Sequence, residues 1–196
     1  MPGCERRQPA VINNQAWQVT CRMNNNDLWR PLDAWPQAQR PAVWQWLQHA
    51  GSLTRKLRAA AGPAFHVRVV HEGQTGLEQA DAGLLLAPAN APAVERSVFL
   101  CAAAPWVYAH TLALQASAHW LDKLGANPLG ERVFAHTGVQ RTHIEVARLD
   151  YRHALYQAAV SGENINPSEL WARRSVLMVE SHRLLIYECF LPGIMV

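Results

Sequence analysis

The sequence predicts an α+β fold: a single antiparallel β-sheet of about six strands with helices packed on it. Segments rich in β-branched and aromatic residues follow one another as hairpin-like neighbours. Helical patterns occur early and in the middle of the chain, without the strand-helix-strand alternation that is typical of a parallel sheet. We expect residues 27–196 to form this single domain, preceded by a polar, loosely ordered tail at residues 1–26.

Helical spacing predicts three helices. The first covers residues 43–50 and ends at Gly51. Ser52 is the expected N-cap of the second helix, which ends at Gly62. The third covers residues 117–125 and also ends at a glycine. The first two helices therefore form a helical hairpin ahead of the sheet.

The predicted strands account for most of the remaining chain. They cover residues 65–73, 96–101, 106–114 and 136–149, and a C-terminal hairpin over residues 173–193 that turns near Glu180, Ser181 and His182. An excursion over residues 150–170 separates this hairpin from the preceding strand and contains a short helix and a polar loop. The C-terminal hairpin is therefore expected to belong to the sheet.

The composition excludes several classes of protein. With 49% hydrophobic and 17% charged residues among 196, the chain can bury a core without disulfides or a metal. The 18 basic residues are sixteen Arg and two Lys, and the net charge is +3. A charge this small and scattered does not form the clustered basic face that nucleic-acid binding requires, so we expect no nucleic-acid partner.

No segment is expected to span a membrane. Residues 97–121 carry no formal charge and are long enough to cross a bilayer. However, Pro105 lies near the middle of this segment, and His110 and His119 would need polar partners in hydrocarbon. The first residues of the chain lack the apolar stretch of a signal peptide. We therefore expect a cytoplasmic protein.

Two charged residues lie in strands that are otherwise apolar. Glu188 shares a strand face with Ile186 and Phe190, and Arg96 shares one with Val98. An unpaired buried charge costs several kcal/mol, so each residue needs a partner. Two interpretations remain open: a pocket for a small ligand with opposite polar ends, or a direct Arg–Glu salt bridge across the sheet. The common nucleotide-binding, hydrolase and metal motifs are absent from the sequence.

Seven short segments match the sequences of a known family in order and in residue type. They are residues 51–54, 70–73, 96–101 with Pro105 and Trp106, 124–130, 141–148, 170–175 and 188–192. Through these segments the chain resembles the chorismate pyruvate-lyases, which release 4-hydroxybenzoate and pyruvate from chorismate. No single segment is a strong motif, but all of them in the right order are together fairly specific.

This resemblance implies a fold, a site and an activity. The family fold encloses its ligand under a pair of helical flaps on an antiparallel sheet, and the family's ligand contacts fall on Leu53, Arg96, Leu129 and Glu188. The implied function is a lyase that converts chorismate to 4-hydroxybenzoate and pyruvate, the first committed step toward ubiquinone. Arg96 and Glu188 would be catalytic, and the chemistry requires no cofactor or metal. The implied partners are the substrate and the product, and we expect a monomer.

Two histidines depart from the family pattern. His110 lies on the strand after Pro-Trp where the family commonly has Arg, and His71 stands where the family has Arg before Glu-Gly. A protonated His110 could supply the hydrogen bond of that arginine, which makes it a further, pH-dependent candidate contact. Both replacements remove permanent positive charge near the expected position of a dianionic substrate.

A second function remains open. Effector domains of certain bacterial transcription regulators resemble the same fold family and bind small acids without turning them over. The polar tail of about 26 residues would be too short for the winged DNA-binding domain of such a regulator. The alternative hypothesis is therefore a non-catalytic module that binds a small aromatic acid.

Overall fold

An antiparallel β-sheet, of eight strands among the described residues, forms the centre of the fold. The computed structural model describes residues 28–122, 124–142 and 144–195, so the predicted tail lies outside the described residues. The strands are β1 (Arg30–Pro31), β2 (His66–Gly76), β3 (Pro92–Cys101), β4 (Pro105–Leu114), β5 (Gln140–Arg141), β6 (Glu145–Leu149), β7 (Leu170–Val179) and β8 (His182–Phe190). Their order in the sheet is β1-β6-β7-β8-β4-β3-β2, and β5 also pairs with β7. The predicted α+β class is confirmed. The strand count exceeds the expected six because β1 and β5 contain only 2 residues each, too few to show alternation.

The predicted strand over residues 136–149 is divided in two. Arg141 on β5 pairs with Leu177, whereas Glu145 on β6 pairs with Arg174. Positions 141 and 145 are four apart but their partners 177 and 174 are three apart, so the connection contains one extra residue, as in a β-bulge. In an uninterrupted strand Arg141 and Glu145 would share a face. The extra residue places them on opposite faces.

Short helices flank the sheet: α1 (Trp44–Leu47), α2 (Leu53–Ala61), α3 (Gln79–Leu85), α4 (Leu129–Phe134) and α5 (Ala154–Val160). The predicted N-cap is confirmed, because the Ser52 hydroxyl accepts a hydrogen bond from the Arg55 N–H at 3.3 Å. The helix expected over residues 43–50 is shorter, and residues 115–120 form a 3₁₀ helix where an α-helix was expected over 117–125. The short helix predicted within residues 150–170 is α5. α3 and α4 were not predicted, because each contains a glycine, Gly83 or Gly130, which favours a loop.

The helices cover the two faces of the sheet in separate pairs. On one face, Leu53 of α2 packs near Val98, and Leu129 of α4 packs near Ile186. On the other face, α3 packs against residues that include Leu185, and α5 packs against a neighbouring apolar cluster. We call the face under α2 and α4 the cavity face and the other the opposite face.

The uncharged segment of residues 97–121 belongs largely to the sheet. It contains most of β3, all of β4 and the 3₁₀ helix that follows. Among the helices of the described residues, none has the length and the apolar character needed to cross a bilayer.

Candidate active site

A cavity lies between the cavity face and helices α2 and α4. The four predicted ligand contacts Leu53, Arg96, Leu129 and Glu188 all line it. Arg96 and Glu188 come from β3 and β8, while Leu53 and Leu129 are the first residues of α2 and α4. The free volume is about 50 Å³, well below the ~150 Å³ of a cavity that accommodates benzene. Entry of a ring-shaped ligand therefore requires the lining to open.

Arg96 is held in the cavity wall by contacts on two sides. Its side chain is 3% exposed and pairs with the carboxylate of Glu72, its cross-strand neighbour on β2. Its Nη2 donates to the Gly125 carbonyl at 2.6 Å and lies 3.5 Å from the Asn127 carbonyl. Burial lowers the pKa of Arg96, but a guanidinium remains charged at neutral pH. Arg96 is thus charge-compensated and is attached to the turn before α4.

Glu188 is also buried, and its partner is Arg173. The two residues are neighbours in register on β8 and β7, and Arg173 Nε donates to Glu188 Oε2. Arg173 Nη1 lies 2.7–3.1 Å from three backbone carbonyls at the end of α1 and just after it, those of Trp46, Leu47 and His49. The direct salt bridge between Arg96 and Glu188 is therefore not formed, since each charge has a partner of its own.

Arg141 also lines the cavity, although the sequence analysis did not single it out as a site residue. Its Nε donates to the Ala50 carbonyl at 3.1 Å, and its Nη1 donates to the Ser175 hydroxyl at 2.5 Å. Burial lowers the pKa of Arg141 to about 10; Glu188 opposes this shift and Arg173 adds to it. The extra residue after β5 hid this position from strand alternation. The one available signal was its place at the start of the matching segment 141–148.

The two helices that cover the cavity meet closely at Gly130. A Cβ at this position would lie 2.9 Å from Thr54 Oγ1 and 3.3 Å from Ser52 Oγ. Glycine therefore permits α4 to approach the first turn of α2. We call α2 and α4 the flap helices, because together they close the cavity over the sheet.

His110 does not line the cavity, which corrects the expectation that it contacts the ligand. It pairs in register with Ser97 on β3 and Tyr187 on β8, and all three side chains belong to the opposite face. Its Nδ1 lies 2.9 Å from Ser97 Oγ, and its Nε2 lies 3.8 Å from a carboxylate oxygen of Glu95. The other oxygen of Glu95 lies 3.0 Å from Nε2 of His71. The neighbours of His110 along β4 face the cavity instead.

The lining combines apolar walls with separated charges. Val98, Leu177 and Ile186 supply apolar surface. Arg96 and Glu188 are two strand spacings apart, about 10 Å, and two residues out of register, about 7 Å. This arrangement suits a small ring compound with a carboxylate at one end and a hydroxyl at the other. Within the part of the chain that the structure describes, no group of three or more His, Cys, Asp or Glu side chains could hold a metal ion.

The family model and the curated relatives that match the chain carry the same family name. The family model described as chorismate lyase matches residues 23–195. A protein named "Probable chorismate pyruvate-lyase" from Thiobacillus denitrificans is 36% identical over 155 residues, which are 76% of this chain and 82% of that protein. A protein of the same name from Pseudomonas aeruginosa is 34% identical over 177 residues, which are 88% of this chain and 95% of that protein.

Solved structures share the fold at low sequence identity. The effector domain of PhnF from Mycobacterium smegmatis has a TM-score of 0.52 and 16% identity, over 74% of this chain and 91% of that one. A GntR-family transcriptional regulator from Enterococcus faecalis has a TM-score of 0.50 and 10% identity, over 65% of this chain and 94% of that one. At these identities the likeness concerns the fold alone.

Proposed function

The chain belongs to the chorismate lyase family, and from this membership we propose that it converts chorismate to 4-hydroxybenzoate and pyruvate, the first committed step toward ubiquinone. The observation that carries the proposal is the placement of two buried, oppositely charged side chains, Arg96 and Glu188, in the wall of one cavity. The charges are separated across the sheet and do not neutralise each other. The cavity therefore offers one small ligand a guanidinium that can donate hydrogen bonds to a carboxylate and a carboxylate that can accept one from a hydroxyl.

The reaction depends on positioning more than on a nucleophile. Chorismate carries a carboxylate on ring carbon C1, an enolpyruvyl ether on C3 and a hydroxyl on C4. The C3–O bond breaks and its electron pair goes to the enolpyruvyl oxygen. C4 loses a proton, and the methylene carbon of the departing group gains one. Aromatisation of the ring supplies the driving force, so the protein mainly has to orient the ring and its two leaving groups.

Arg96 and Glu188 are assigned to the two ends of the ring. Arg96 binds the C1 carboxylate through a planar, charge-assisted contact. Glu188 accepts a hydrogen bond from the C4 hydroxyl, which lies across the ring from C1. Leu53 and Leu129 contribute main-chain groups and apolar walls from the flap helices. Arg173 acts as a positioning residue, because it occupies one oxygen of Glu188 and leaves the other for the ligand.

The activity is tested by mixing the purified protein with chorismate and following 4-hydroxybenzoate by absorbance and pyruvate by a coupled assay. We expect the two products in equal amounts. Arg96→Ala and Glu188→Gln are expected to lower kcat/KM by about 100-fold or more, as for other buried charges at reacting groups. Arg148→Gln is the matched control, because this arginine is 57% exposed in a surface pair with Glu169. It should keep the wild-type rate.

Two outcomes would contradict the proposal. If folded Arg96→Ala and Glu188→Gln proteins, checked by circular dichroism, turn over chorismate at the wild-type rate, their assigned roles are wrong. If the wild-type protein binds chorismate or 4-hydroxybenzoate tightly but releases no pyruvate, the chain is a binding module for small aromatic acids.

A further inference from the structure

Two of the charges in the cavity wall are already compensated by the protein. The Glu72 carboxylate lies against Arg96. The guanidinium of Arg173, which is fully buried, lies against Glu188. The two residues of each ion pair are register partners on adjacent strands, so both ion pairs form when these strands pair. Neither pair leaves a net charge in the cavity.

Arg141 is different, because the groups that hold it are neutral. Its hydrogen-bond acceptors are the Ala50 carbonyl and the Ser175 hydroxyl. Across residues 28–122, 124–142 and 144–195, no carboxylate forms an ion pair with it. The cavity wall therefore carries a net positive charge at Arg141. A partly buried cation without a counter-ion is unfavourable, and an anion that enters the cavity relieves this cost.

The position of Arg141 indicates which part of a ligand it meets. It donates to Ser175 on β7, whereas Arg96 lies on β3, beyond β8 and β4. Glu188 lies on β8, between the two arginines, and its charge acts on Arg141. The two guanidinium groups therefore occupy opposite ends of the cavity, and Arg141 is at the end nearer to Glu188.

We propose that Arg141 binds the enolpyruvyl carboxylate of the substrate; this inference rests on the proposed function. With the C1 carboxylate on Arg96, the C4 hydroxyl reaches Glu188. The enolpyruvyl group is attached at C3, next to C4, so its carboxylate lies at the same end as Glu188 and Arg141. Two of the five N–H groups of Arg141 are directed at Ala50 and Ser175, which orients the guanidinium and leaves other N–H groups for the carboxylate.

This arrangement makes Arg141 a residue that distinguishes substrate from product. Chorismate carries two carboxylates, and 4-hydroxybenzoate keeps only the one on C1. Contacts at Arg96 and Glu188 are available to both molecules, whereas the contact at Arg141 is lost when pyruvate leaves. The site should therefore prefer a ring with two carboxylates over the same ring with one.

The test measures binding of substrate and product separately in one set of variants. Arg141→Gln removes the charge and the terminal N–H groups but keeps an amide N–H at about the position of Nε, which contacts Ala50, and Arg141→Lys keeps the charge. We expect Arg141→Gln to raise the KM for chorismate by about 10-fold or more, as for the loss of a charge-assisted hydrogen bond. The Kd for 4-hydroxybenzoate, from calorimetry, should change by less than about 2-fold. Arg141→Lys should recover part of the loss for chorismate, and Arg148→Gln should change neither constant.

A parallel loss of substrate and product affinity in Arg141→Gln would overturn the inference, because it would mean that Arg141 only holds the backbone at Ala50. No change in either constant would overturn it as well.

Failure of the proposed function has a different signature, namely wild-type protein that forms no pyruvate. In that case the Kd of chorismate, measured by calorimetry with the wild-type and Arg141 variants, decides the role of Arg141 without turnover. Should Arg141→Gln not fold, Arg141→Lys decides the role, because it keeps the charge but loses the planar set of N–H groups and should raise the Kd of chorismate more than that of 4-hydroxybenzoate. An equal change in the two Kd values, or no change in either, would count against the inference.

Discussion

The charged groups on the two faces of the sheet differ in how their charge depends on pH. On the cavity face the cations are arginines, such as Arg96 and Arg141, which stay charged across the physiological pH range. On the opposite face, His71 and His110 lie beside the shared carboxylate of Glu95. The cavity-face cations therefore keep their charge across this pH range, whereas the opposite face, which also carries Arg174 paired with Glu145, includes groups whose charge changes with pH.

Burial on the opposite face favours uncharged forms. Burial lowers the pKa of His110, against the raising effect of Glu95. Burial also lowers the pKa of His153, the N-cap residue of α5. Asp81 and Tyr187 share a hydrogen bond of 2.5 Å, and burial raises the pKa of both. Burial therefore shifts the pKa of each of these groups toward its neutral form, whereas the arginines of the cavity face stay charged.

The largest expected effect comes from two adjacent arginines that point to opposite faces. Arg173→Met should lower the free energy of unfolding by about 3–5 kcal/mol, because it leaves Glu188 buried without its counter-charge. Arg174→Met should cost less, since the side chain of its partner Glu145 is 29% exposed and can regain water. Urea unfolding of both variants measures the difference. Equal losses would show that the two faces tolerate an unpaired carboxylate equally.

A smaller effect is expected from two glycines, one on each side of the sheet. Gly130→Ala should destabilise the protein by about 1–3 kcal/mol, because the new Cβ would lie 2.9 Å from Thr54 Oγ1 at the contact of the flap helices. Gly83→Ala in α3 should stabilise it by about 0.5–1 kcal/mol, because no atom lies within 4 Å of the added Cβ. Thermal unfolding of the two variants shows whether Tm falls for Gly130→Ala and rises for Gly83→Ala, as expected. A Tm for Gly130→Ala at or above the wild-type value would mean that α2 and α4 are not closely packed.

The smallest expected effect is the pH dependence due to His110. Its pKa in the folded protein lies below the ordinary value of 6.5. The unfolded chain therefore takes up more protons than the folded one as the pH falls through 6.5, so stability is present above this pH and is lost below it. His110→Gln should lose less stability between about pH 7.5 and about pH 5.5 than the wild-type protein. The urea midpoint at the two pH values is the measurement, and an unchanged difference would contradict this role of His110.

Local sequence patterns were sufficient to predict the long strands and to identify two of the residues that line the cavity. Alternation placed β2, β3, β4 and the C-terminal hairpin in their order, and a serine after a glycine located the start of α2. Arg96 and Glu188 stood out because a charge in an apolar strand is costly without a partner. The short helices α3 and α4 were missed, since each contains a glycine that lowers its helix propensity and each is stabilised by packing on the sheet.

The sequence was enough to show which residues of a long strand share a face, and it marked Arg96 and Glu188 as charges among apolar neighbours, because a strand presents alternate residues to alternate faces. How these charges are paired depends on the tertiary structure. Register between distant strands placed Glu72 beside Arg96 and Arg173 beside Glu188. The register of β4 with its neighbours placed His110 on the opposite face, and one extra residue after β5 placed Arg141 in the cavity wall. Such pairings depend on which distant strands meet and in which register, and no local period in the chain encodes that.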